Sequence, residues 1–271
     1  MSAGAFDRAI SAEHDGAGRV AVEIDDGWST PVGPNGGYVA AVVLQAIVEA
    51  VARPEREPRS LTLHYLSTPA PGPATVEVAE ERSGRNLTTA SARLVQDGRT
   101  RVLALAALGG PYAPEPEFGT PPPDLTPYDE AEPIEWVPPG FPIVERFDLR
   151  PVLGPLPFVQ PPAGEALTGG WMRLRDERPL DAPLLALYTD AWFPAVFVRE
   201  PLPVGVPTLD LTIHFRAPAA AAVLEPGTPV MVRFATRAAR EGYFEEDGEL
   251  WAPDGTLLAI SRQLAILPPR P

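Results

Sequence analysis

Residues 35–51 constrain the fold more than any other stretch. Asn35-Gly36-Gly37 runs into Tyr38-Val-Ala-Ala-Val-Val-Leu-Gln-Ala-Ile-Val-Glu-Ala-Val51, where only Gln45 and Glu49 carry polar side chains. Those two are four apart and share one narrow helical face. A helix apolar nearly all round has to be buried, and this one is shorter than the roughly 20 apolar residues that span a bilayer. Asn35 suits the N-cap. Gly36 and Gly37 leave the first turn bare, so another backbone or a ligand can come close. Arg53-Pro54 ends the helix. The rest of the chain must therefore wrap it.

Strands supply the wrapping. Residues 5–26 read as an opening strand or two, with Arg19–Asp25 alternating apolar and polar as a half-buried strand does. After the helix come Ser60–Leu66, Ala74–Arg82, Leu87–Gln96 and Thr100–Leu108, separated by turns such as Asp97-Gly98. Residues 111–140 change character. They are rich in Pro, Glu and Asp and read as an extended surface linker between an N-terminal unit, 1–110, and a C-terminal unit, 141–271. The second unit offers strands at Val144–Val152 and Gly169–Arg175. A helix runs from Ala182 to about Phe193, capped by Asp181 and stopped by Pro194. Strands Leu209–Phe215, Val230–Ala238, Gly242–Trp251 and Leu257–Leu267 follow. Leu211-Thr-Ile-His-Phe215 matches Leu61-Thr-Leu-His-Tyr65 in type at each place, about 150 residues on. One helix-plus-sheet unit is thus present twice.

Composition narrows the chemistry. The 271 residues include no Cys, which excludes disulfides, thiolate catalysis and Cys metal sites. Every basic side chain is Arg, so Lys-based nucleophiles and a phosphate-loop lysine are excluded. His14, His64 and His214 show no metal-ligand spacing. A net charge of −14 argues against nucleic acid and anionic membranes as partners. With no leader and no membrane-length apolar run, the expectation is a soluble cytoplasmic protein.

The order of strands, apolar helix and four strands, repeated once, resembles the double-hotdog fold, an α+β architecture of two antiparallel sheets each curled over a helix. Gly33-Pro-Asn-Gly-Gly-Tyr-Val-Ala-Ala41 is similar to the glycine-rich helix start of the acyl-CoA thioesterase II family. Leu187-Tyr-Thr-Asp-Ala-Trp-Phe-Pro194, Thr208–Arg216 and Asp254-Gly255 through Gln263 are similar to that family's second-half motifs. The resemblance implies hydrolysis of an acyl-CoA thioester with no cofactor or metal. It implies a water held by Asp190, Thr208 and Gln263.

Each of these residues also has a plain structural reading. A lone carboxylate in the apolar run Leu184–Phe193 is costly to bury unless partnered, and such a setting raises its pKa toward that of a general base. Strict alternation puts Thr208 with Asp210, Thr212 and His214, opposite Leu209, Leu211 and Ile213. If the apolar set faces the helix, Thr208 points away from Asp190, unless Pro207 and the strand end break the alternation. Gln263 shares a small-residue face with Ala259, Ser261 and Ala265. Its first-half counterpart lies near Leu108, that of Thr208 is Pro58, and that of Asp190 is Leu44 or Gln45, so one site per chain is expected. Asn35, Gly36, Gly37 and Tyr38 are candidate substrate contacts through helix N-terminal N–H groups. Asp210 and Arg216 are further candidates, with Arg233, Arg237 and Arg240 for the CoA phosphates. Residues 38–51 read as an apolar wall, and the chemistry as lying in the second half. The alternative is a non-catalytic acyl-binding protein on the same fold. A hotdog hydratase needs a close Asp–His pair, which is not found. Edge strands point to a homo-oligomer.

Overall fold

The computed structural model describes residues 4–112, 118–135, 141–157, 159–162, 164–200, 205–218, 221 and 223–268. The chain opens with a short helix, α1 (Ala5–Ala9), then β1 (Ala12–His14) and β2 (Arg19–Ile24). A small ladder of β3 (Ser29–Thr30) and β4 (Gly33–Pro34) leads into α2 (Gly36–Val51). Strands β5 (Glu57–Tyr65), β6 (Gly72–Ser83), β7 (Leu87–Gln96) and β8 (Arg99–Gly109) complete the first half. The second half holds β9 (Phe147–Leu153), β10 (Ala166–Leu174), α3 (Ala182–Tyr188), β11 (Thr208–Phe215), β12 (Val230–Thr236), β13 (Ala239–Arg240), β14 (Tyr243–Trp251) and β15 (Leu257–Ile266).

Apart from β3 and β4, the strands form one antiparallel sheet in the order β1-β2-β6-β7-β8-β5-β11-β15-β14-β12-β10-β9, with β13 beside β14. The order on one side of the β5–β11 seam repeats on the other, so the duplication read from sequence is a structural one. At the seam Thr62 pairs with Thr212, its own counterpart 150 residues on, and their hydroxyls lie 3.2 Å apart. The two repeats therefore meet about a local two-fold through equivalent residues. Helices α2 and α3 pack against each other inside the curl of the sheet. Residues from Tyr38 to Leu44 on α2 and Leu184 to Tyr188 on α3 are essentially inaccessible and join both sheet halves in one core. This is a double hotdog.

Three expectations need correction. Residues 5–9 form a helix rather than a strand, because Phe6, Ala9 and Ile10 recur at helical spacing and all bury in the core. Strand β9 starts at Phe147 rather than Val144, since Pro142–Arg146 makes a 3-10 turn with Pro142 at its start. The segment between the repeats is mostly exposed where it is described, and after Leu125 it is anchored to the second half. Trp171 Nε1 donates to the Thr126 carbonyl at 2.8 Å, and Ala131 is buried with Trp171, Met231 and Trp251. The linker thus caps the outer side of the second half.

The third correction bears on the site. Helix α3 ends at Tyr188, not near Phe193. Thr189 turns its hydroxyl back to the Ala186 carbonyl at 2.8 Å, an alternative partner that disfavours continuation. In a longer helix the Asp190 carbonyl would need a donor from residue 194, and Pro194 has none. Asn35 Nδ2 donates to that carbonyl instead, at 2.7 Å. Asp190 accordingly sits in the turn after the helix, not on it.

Candidate active site

Asn35 works at two levels. Its Oδ1 accepts from the Tyr38 N–H at 3.0 Å and caps α2, while its amide Nδ2 reaches Asp190 Oδ2 at 3.1 Å. Gly37 N–H donates to the same carboxylate oxygen at 3.0 Å. The absence of side chains at 36 and 37 makes this approach possible. A Cβ on Gly36 would lie 2.8 Å from Asp190 Oδ2, and one on Gly37 would lie 2.5 Å from the Leu187 carbonyl oxygen. Tyr65 closes the cluster by donating to the Gly36 carbonyl at 2.8 Å. The bare turn is therefore filled by the second repeat's carboxylate. The Gly37 N–H at the positive end of the helix is thus engaged by Asp190, while Asn35 and Gly36 line the cavity beside it. The first repeat's helix start thus holds the second repeat's Asp.

Desolvation raises the Asp190 pKa to about 6, with hydrogen bonds from Gly37, Gln263, Gly36 and Asn35 pulling the other way. The carboxyl group is half-buried at the wall of a cavity of about 670 Å³. Thr208 and Gln263 line the same cavity. Thr208 reaches it through a β-bulge. Asp210 pairs with Leu264, yet Thr208 pairs with Ala265, so Leu209 is the extra residue. The bulge moves Thr208 onto the inward face, and its Oγ1 donates to Gln263 Oε1 at 2.9 Å. The same irregularity occurs at Arg59 in the first repeat, between Pro58 and Ser60, so it belongs to the duplicated unit.

Glu246 is the residue that sequence reasoning missed. It pairs with Gln263 across β14 and β15 and accepts from Gln263 Nε2 at 3.0 Å through Oε1. Its other oxygen accepts from the Ala195 N–H at 2.5 Å. It is 4% exposed. Burial is the main cause that lifts its pKa to about 8, with the charge of Asp190 adding to the rise and the Ala195 and Gln263 hydrogen bonds opposing it. A signal was present: Phe244, Glu246, Gly248 and Leu250 form the inward row of β14, so an alternation count puts an acid in the core.

Three candidates stand away from the cavity. Tyr38 turns into the core, stacks on Trp28 with ring centroids 5.8 Å apart, and donates to the Ala9 carbonyl at 2.9 Å. Asp210 lies on the outward row of β11 with Thr212 and His214, beside a separate surface groove. Arg216 is exposed just beyond that strand. Of the other arginines, Arg233 pairs with Glu249 at 3.3 Å and Arg237 with Asp247 at 2.7 Å. Among the described residues, no arginine lines the cavity. In the first repeat the positions of Thr208, Gln263 and Glu246 are held by Pro58, Ala106 and Ala90. The counterpart of Gln263 is thus Ala106, two residues before Leu108.

A double hotdog with one polar cluster at the helix–sheet junction is the class that fold and site define together. Residues 24–109 match the acyl-CoA thioesterase N-terminal domain, and residues 120–267 match the acyl-CoA thioesterase C-terminal domain. The chain belongs to this acyl-CoA thioesterase family. An uncharacterized protein of Mycobacterium tuberculosis is 26% identical, the match covering 91% of this chain and 90% of that one. Among solved structures, a hot dog protein of unknown function from Alicyclobacillus acidocaldarius has a TM-score of 0.90 at 26% identity, covering 100% of both chains. A putative thioesterase II from Thermobifida fusca has a TM-score of 0.82 at 28% identity over 98% of both chains. An acyl-CoA thioesterase II from Mycobacterium marinum has a TM-score of 0.75 at 21% identity over 97% of both chains, and shares the fold. No helix among the described residues is long and apolar enough to cross a membrane.

Proposed function

We propose that the chain hydrolyses an acyl-CoA thioester to the free acid and CoA by direct attack of water. The supporting observation is that Asp190, Thr208 and Gln263, drawn from three separate elements, line one cavity whose other walls include Val39, Phe141, Trp192 and Phe197. Such a cavity suits an acyl chain, with few polar groups to fix its reactive end. Asp190, ionised above a pH of about 6, takes a proton from water as its oxygen bonds to the thioester carbon. Thr208, its hydroxyl proton committed to Gln263, keeps lone pairs free to accept from the same water. The tetrahedral intermediate then loses the C–S bond, and the departing thiolate takes the proton from Asp190. No residue becomes acylated.

A single turnover in ¹⁸O-labelled water tests this route. The account expects one labelled oxygen in the released acid and none in a peptide carrying Asp190. Label in Asp190 would mean that the carboxylate itself is the nucleophile. If a panel of short, medium, long and aromatic acyl-CoA substrates is bound but left uncleaved, the fold is serving as an acyl-binding module instead.

A further inference from the structure

We infer that Glu246 is a positioning residue for this reaction: it fixes which way the Gln263 amide faces, and thereby which way the Thr208 hydroxyl points. The inference rests on the thioester-hydrolase reading for its kinetic consequence, but its geometry stands apart from that reading. Gln263 donates to Asp190 as well as standing between two partners with opposite needs. On one side is Glu246, on the other Thr208, at 3.0 and 2.9 Å. An amide offers a donor on one end and an acceptor on the other. When Glu246 is a carboxylate it can only accept, so Gln263 must present its amino group there and its carbonyl to Thr208. The Thr208 proton is then held by Gln263, and the lone pairs of Thr208 are free for a water.

A protonated Glu246 reverses this chain. Its second oxygen is already occupied by the Ala195 N–H at 2.5 Å, so the carboxyl proton must sit on the oxygen facing Gln263. That O–H needs an acceptor. Gln263 supplies one by turning its carbonyl toward Glu246, which takes its amino group from Asp190 and brings it to Thr208. Thr208 now accepts from Gln263 and must donate its own proton into the cavity, toward the lone pair that the attacking water needs.

The surroundings leave Glu246 without a compensating cation. The titratable group facing it from the turn after α3 is Asp190, of like charge. Asp247, next along β14, points to the opposite face, where Arg237 and Arg262 pair with it at 2.7 and 2.6 Å. On β15 its partner is the neutral Gln263, and on the 3-10 turn Ala195–Val198 it is a backbone N–H. No ion pair to Glu246 is formed among the described residues. A burial-driven rise to about 8 places the change of state within the working range of an assay.

The experiment measures kcat and KM for acyl-CoA cleavage across pH in the wild type, Glu246→Gln and Thr208→Val, with the Gln263 side-chain NH2 signal followed by ¹⁵N NMR. In the wild type kcat should rise with a midpoint near 8, KM should stay within about twofold, and the Gln263 signal should move with the same midpoint. Glu246→Gln must turn its carbonyl to the Ala195 N–H and its amino group to Gln263, which locks the reversed orientation. The variant should lose about tenfold in kcat at alkaline pH, as for one charge-assisted hydrogen bond, together with the step near 8 in both readouts. Thr208→Val is slow, and its remaining rate should show no step near 8, because the turn of Gln263 then has no hydroxyl to reorient. A rate step that persists in either variant overturns the inference, as does a Gln263 signal that still steps in Glu246→Gln. So does a wild-type Gln263 signal that does not move. If the wild type cleaves no acyl-CoA at any pH while the Gln263 signal still titrates only with Glu246 present, the reaction is wrong and the coupling stands.

Discussion

Gly37 N–H and Asp190 Oδ2 are joined by a 3.0 Å hydrogen bond between residues 153 apart in sequence. This contact makes the two repeats a single site. The first helix supplies the positive end and the absent side chains. The second repeat supplies the carboxylate, and a bulge and two strands of the second sheet half bring the remaining polar groups to it.

Gly36→Ala and Gly37→Ala should therefore fail differently. The added methyl at 36 meets Asp190 Oδ2 at 2.8 Å, the end of a side chain that can swing. Activity should fall at least about tenfold while the melting temperature drops only a few degrees. At 37 the methyl meets two backbone carbonyl oxygens, at 2.5 and 3.0 Å. The helices must then separate, and the loss should be of stability, about 1–3 kcal/mol as for other overpacked cores. Thermal melts with rates measured on the same samples distinguish the two. Equal melting temperatures for the pair would show that α2 and α3 are not held as closely as described.

The pH dependence of catalysis should carry an acid limb from Asp190. As a base it is active when ionised, so below the Glu246 step near 8, kcat/KM should fall again as pH drops through about 6. An acid limb near 4 would place the carboxylate in a far better solvated setting than the contacts with Gly37 and Asn35 provide.

Glu246 should also shape stability against pH. Its ordinary value is 4.5 and its folded value about 8. The folded state therefore holds the proton more tightly. The contribution of Glu246 is full below about 4.5 and is lost as pH rises through about 8, where a buried charge must form. The melting temperature of the wild type should fall between those limits, and Glu246→Gln, which cannot ionise, should flatten that fall. A variant whose melting curve tracks the wild type across this window would show that Glu246 is not buried as a neutral acid.

Much of the fold was legible because it rests on periodicity. Tyr38–Val51 is apolar nearly all round, so its burial follows directly, and Leu61–Tyr65 against Leu211–Phe215 carried the duplication down to Thr62 and Thr212, which pair across the seam. Asp190 was legible as a carboxylate in an apolar setting. What failed did so through long-range partners. Alternation faced Thr208 outward because the bulge at Leu209 inserts one residue, and nothing local marks it except Pro207. The end of α3 depends on Asn35, far off in the first repeat. Asn35, Gly36 and Gly37 read locally as a cap and a ligand approach. The cap is there and Asn35 and Gly36 line the cavity, but the carboxylate they meet belongs to the other repeat and was not legible. Glu246 was visible in principle, since it falls in the inward row with Phe244 and Leu250.

The most direct measurement of the central claim is the release of free thiol from an acyl-CoA panel by the wild type and by Asp190→Asn, with both variants shown to melt cooperatively. Asn keeps the shape and the neutral hydrogen bonds but cannot take a proton from water. The account predicts cleavage by the wild type of at least one acyl-CoA, and a loss of about 10²–10⁴ in kcat for the folded variant. Equal rates in the two, or no cleavage by either, would contradict it.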